Sequence, residues 1–73
     1  MALYVNTTRF DAIVTLRITA VQDAKDVLKV GIESAMKTFG AEAGVIDIFV
    51  GPGEVVELSQ GVSAEFLAAR CAP

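Results

Sequence analysis

The sequence predicts a small α+β domain, in which a short antiparallel sheet packs on one main helix and copies of the chain pair. Three observations carry that prediction. Residues 11–20 alternate apolar and polar side chains, residues 20–39 set apolar side chains at helical spacing, and residues 45–59 form two β-rich runs around a Gly-Pro-Gly turn. Together they give the element order β-α-β-β-α in a single domain over residues 1–73.

Taken in order, residues 1–8 are either a flexible arm or, through Leu3, Tyr4 and Val5, an edge strand. Ala12, Val14, Leu16 and Ile18 then fall on one side and Asp11, Thr15, Arg17 and Thr19 on the other, with Ile13 an apolar residue on the polar side. Period-two alternation rich in β-branched residues marks a half-buried strand. On a helical wheel Val21, Leu28, Ile32, Ala35 and Phe39 share a stripe opposite Gln22, Asp26, Lys29, Glu33 and Lys37, as in an amphipathic helix. Thr19 and Gln22 have capping-box spacing and Gly40 suits the helix stop. Val30 lies on the polar side of that wheel without a partner. A competing arrangement is mostly α, with one long helix over residues 9–39. Thr8 and Asp11 are also spaced for a cap, and polar positions recur from Asp11 to Lys37 at heptad-like spacing. The weak helix formers between Ile13 and Val21 speak against it.

Residues 45–50 and 54–59 read as the two strands of a hairpin. Pro52 and Gly53 suit the central positions of a type II turn. A three-residue loop sets Ile46, Ile48, Val56 and Leu58 on one face but puts Asp47 opposite Glu57, whereas a two-residue loop separates those acids. Ser63 caps a last short helix that buries Phe66 and Leu67. This order of elements resembles a ferredoxin-like split unit lacking its last strand, a resemblance that implies architecture alone.

Composition bears on function. The 73 residues are 53% apolar, with no histidine, no tryptophan and one cysteine. A domain of this size buries only about 60% of the surface its unfolded chain exposes, so small domains often gain stability by oligomerising. Self-association as a homodimer or higher oligomer is therefore expected, through Val14, Leu16, Ile18, Val45, Phe49 and Val55. Lacking histidine, the chain has none of the usual triads or common metal sites. No catalytic, cofactor-binding or metal-binding residue is expected, and the chain is read as non-enzymatic. Asp47 with Glu57 is too small a donor set for a calcium cage. Cys71 has no disulfide partner in the chain, which suits a reducing compartment. With no apolar run long enough to span a bilayer and no leader-like N-terminus, a cytoplasmic location away from membranes is expected. Asn6-Thr7-Thr8 matches a glycosylation acceptor, which without secretion has no consequence.

Charge is unevenly spread. From Thr38 to Ala69 there are five acids (Glu42, Asp47, Glu54, Glu57 and Glu65) and no base, within a net charge of −3. Thr15, Arg17 and Thr19 on one strand face followed by a helix resemble the ribbon-helix-helix DNA binders, yet only one of the three is basic. Direct nucleic-acid binding is disfavoured, because phosphate contacts dominate such affinity. The acids suit a small regulator or inhibitor that grips a basic surface of a partner protein. The alternative is a small-ligand-binding module with its site at the oligomer interface.

Overall fold

The computed structural model describes residues 2–22, 26–40 and 44–73, and every regular element among them is a β-strand. The strands are β1 (Ala2–Val5), β2 (Ala12–Val21), β3 (Leu28–Ile32), β4 (Ala35–Phe39), β5 (Gly44–Val50), β6 (Val55–Leu58) and β7 (Val62–Cys71). They form two antiparallel sheets, one in the order β1-β6-β3-β4 and the other in the order β5-β2-β7. Apolar side chains from both sheets meet in one core, making a small β-sandwich. The α+β expectation and the mostly α alternative are both overturned, since no helix occurs among the described residues. The ferredoxin-like comparison falls with them.

β2 is the central strand of its sheet and follows the alternation in the sequence. Ala12, Val14, Leu16 and Ile18 are buried, while Arg17 and Thr19 face solvent. Ile13 and Thr15 lie half-buried on the outer face.

In place of the expected main helix stands the β3–β4 hairpin. Ile32 pairs with Ala35 across the two-residue loop Glu33-Ser34, and Leu28 pairs with Phe39. The apolar spacing was ambiguous for a physical reason. Residues four apart share a face on a helix, and they also share a face on a strand because four is twice two. Val30 separates the two readings, for it aligns with Leu28 and Ile32 on a strand but not on a helix. It is buried against Val56, its cross-strand neighbour. Gly31 holds φ at +148°, and a Cβ there would collide with the Ala35 carbonyl oxygen.

Residues 45–59 do contain two strands and a Pro52-Gly53 turn, but not a hairpin. Gly53 has φ of +75°, and the Glu54 N–H donates to the Gly51 carbonyl at 3.0 Å, as a type II turn requires. β5 pairs with β2, however, and β6 with β1 and β3. The turn is thus an arch from one sheet to the other. Asp47 stands opposite Thr15 and Glu57 opposite Lys29, so the feared acid pair does not arise.

The expected last helix is β7, which runs along β2 for its whole length. Two register shifts explain the misleading pattern. Leu67 is an extra residue between the Thr15–Ala68 and Leu16–Phe66 pairs, and Thr19 is an extra residue on β2. A bulge breaks the period of two and sets Phe66 and Leu67 side by side, as a helix would.

Asn6 ties the ends of the sheets together. It is fully buried, and its amide nitrogen donates to the carbonyls of Phe10 (2.8 Å) and Val50 (2.9 Å). Its amide oxygen accepts from the backbone N–H and the hydroxyl of Thr8, at 3.0 and 2.7 Å. Both donor hydrogens and both acceptor positions of the side chain are used. Its main chain bonds to Gly53 and Glu54 on the arch. The glycosylation motif is therefore occupied by a structural residue. Asn6→Ala is expected to lower unfolding free energy by about 2–4 kcal/mol in urea titrations, because buried main-chain groups lose their partners. Asn6→Asp should lower it further, by turning a carboxylate oxygen toward two carbonyls. Gly31→Ala should cost more than about 1 kcal/mol in the same assay, through strain at positive φ.

Candidate interaction surface

The two sheets differ in width, four strands against three, and the two sides of the sandwich are finished differently. On one side β1 and β7 come together, and the rings of Tyr4 and Phe66 stack with centroids 5.9 Å apart. On the other side β4 and β5 leave a cleft of about 390 Å³, lined by Val30, Phe39, Ile48 and Phe49 and by the charged Lys37, Asp47 and Glu54. Lys37 pairs with the buried Val30, so its side chain leaves the inward face of β4 at this opening. Phe39 is 39% exposed although it shares that inward face with the fully buried Leu28.

The six residues expected at an oligomer interface divide into two groups. Val14, Leu16 and Ile18 are at most 2% exposed and are enclosed by this chain's own second sheet. Val45 and Phe49 lie on the outer face of β5 and are 59% and 69% exposed. Val55 is half-buried on the outer face of the four-stranded sheet, beside Gly31.

The acids are not gathered on one surface. Asp47 accepts a hydrogen bond from Thr15 and lies 3.9 Å from Arg70 Nη2, and Arg70 also donates to Thr15 Oγ1 at 3.3 Å. Glu65 forms an ion pair with Arg17 at 3.0 Å on the same outer face. Glu57 is on the outer face of the opposite sheet, between Lys29 and Ala2. Glu54 is half-buried in the arch, where its carboxylate accepts from the Gly51 N–H. Glu42 lies outside the described residues.

Among the described residues no group of three or more Cys, Asp or Glu is placed to hold a metal ion, and no helix is long and apolar enough to cross a membrane. Cys71 is exposed near the end of β7, opposite Ala12. The accessible surface is 4793 Å², whereas a compact monomer of this mass shows about 4,300 Å². Among the described residues eight large apolar side chains are exposed, including Phe10, Ile32, Phe39, Val45 and Phe49. The cleft residues Lys37 and Phe39 were missed by a reading that placed them on a helix. The alternation of Leu28, Val30 and Ile32 is the signal in the sequence for the hairpin that carries them.

The fold and surface define a class, an antiparallel β-sandwich of a four-stranded and a three-stranded sheet with a cleft between β4 and β5. Beyond that class, the chain matches no protein family, no curated protein and no solved structure.

The ionic contacts differ in structural weight. Arg17→Ala or Glu65→Ala should change unfolding free energy by less than about 0.5 kcal/mol, since both side chains are more than half exposed. Glu54→Ala should cost about 1 kcal/mol by leaving the Gly51 N–H without its acceptor. Denaturant titration of the three variants checks this order.

Proposed function

We propose that the chain is a non-enzymatic interaction module that works as a homo-oligomer, with apolar sheet surface as the contact. The observation that supports this most directly is the open β4–β5 side, where Phe39 and Phe49 are exposed beside unequal sheets. Exposed apolar area in a patch with a polar rim is the usual mark of an interaction site. A purely acidic grip on a basic partner is the weaker form of this reading. Asp47 and Glu65 already face Arg70 and Arg17, and Glu57 points from the opposite side of the sandwich. A single exposed thiol suits the reducing cytoplasm as the place of work.

One observation favours a second reading, a small-ligand module. The cleft volume falls within the roughly 300–1,000 Å³ of small-molecule sites, and an apolar floor carries a few charged groups. A ligand held there would raise the melting temperature in proportion to the logarithm of its concentration.

Sedimentation equilibrium tests the main reading. The expected mass is twice the 7.7 kDa of one chain or a higher multiple, and little changed between low and high salt. A folded chain that stays at 7.7 kDa at millimolar concentration refutes it. An oligomer that dissociates as salt rises points instead to charge as the contact.

A further inference from the structure

We infer that the open side is closed by a second copy of this chain, through antiparallel pairing of β5 with β5 across a two-fold axis centred on Ile48. The inference rests on the self-association proposed above and specifies its surface.

Edge strands are protected in one part of this molecule and not in another. β1 is four residues long with a register shift after Ala2, and its Tyr4 ring stacks on Phe66. β7 is bulged at Leu67 and carries Glu65 and Arg70. Bulges, charges and short length are the devices by which proteins keep strand edges from pairing with other chains. β5 has few of them. It pairs with β2 in unbroken register from Gly44–Ile18 to Val50–Ala12, contains no proline, and bears one charge, Asp47.

Symmetry limits how two β5 strands can meet. Residues directly opposite in an antiparallel pair point to the same face, so a two-fold axis normal to the sheet must pass through a residue position. An axis at Asp47 would set acid against acid, which is destabilising. An axis at Ile48 sets Ile48 against its own counterpart, Ile46 against Val50, and Asp47 against Phe49. The inner row then continues as one apolar stripe through both copies. β4 is the edge of the other sheet on the same side. The same axis therefore brings the two β4 edges toward each other, whereas an extended peptide could occupy only one of the two edges.

Sedimentation of Phe49→Asp and Phe49→Lys tests the register, with circular dichroism and melting curves confirming that both fold. Phe49→Asp places a second acid against Asp47 twice per dimer and should weaken dimerisation by roughly tenfold or more. Phe49→Lys places a base there and should leave the dimer within a few-fold of the parent. In a Cys71→Ser background, Ile48→Cys should cross-link into a covalent dimer on oxidation, because opposed Cα atoms lie about 4.5–5.5 Å apart. Val45→Cys, set against Gly51, should not. Equal loss of association in Phe49→Asp and Phe49→Lys, or cross-linking at Val45 but not Ile48, overturns the β5 pairing while self-association stands. A folded parent chain that remains monomeric overturns both.

Discussion

The architecture depends on one buried amide. Asn6 stands where β5 ends and β6 is about to begin, and it takes the hydrogen bonds that would otherwise join those strands into a hairpin. Its side chain binds the Val50 carbonyl on one limb of the arch, and its main chain binds Gly53 and Glu54 on the other. With the ends of both limbs committed to a third segment, β5 is free to pair with β2 and β6 with β1 and β3. A buried polar group with incomplete partners would be costly, but every donor and acceptor of this amide is matched, which makes it a specific lock. Glu54 closes the same arch from inside by accepting from Gly51.

This explains which parts of the fold were legible in the sequence. β2 could be read because its period of two holds from Ala12 to Ile18 through β-branched residues and that face is buried. The Pro52-Gly53 turn could be read because its chemistry is local. What the turn joins could not, since a type II turn suits an arch as well as a hairpin and the deciding residue lies more than forty positions earlier in the chain. Residues 20–39 failed for a different reason: spacings of four satisfy both periods. The anomaly that resolved them, an apolar Val30 on the polar side of the wheel, was visible but carries little weight beside five conforming residues. β7 failed because its bulge at Leu67 erased the alternation just where Phe66 and Leu67 sit.

The same local pairing governs the charges. Counted along the chain, residues 38–69 are strongly acidic. In the sandwich two bases of the first half and Arg70 are returned to them across strands, as Arg17 to Glu65, Lys29 beside Glu57, and Arg70 to Asp47. Antiparallel folding mixes early and late segments, so linear asymmetry need not become surface asymmetry. Of the expected site residues, Phe49 and Val45 remain exposed because they alternate with the buried Ile48 and Val50. Val14, Leu16 and Ile18 are equally apolar but lie on the central strand, where this chain's own second sheet covers them.

Asp47 links these arguments. In the run Val45-Ile-Asp-Ile-Phe-Val50 it is the one charge in a segment otherwise suited to indiscriminate strand pairing. It is held on the outer face by Thr15 and Arg70, so it adds a fixed charge to the edge. A fixed charge in the middle of an otherwise apolar edge does not close that edge to every partner. It excludes the alignment centred on itself and leaves its neighbours available. A single acid at this place restricts which register a second strand can adopt, and the unequal sheets provide the opening beside which such a strand would lie.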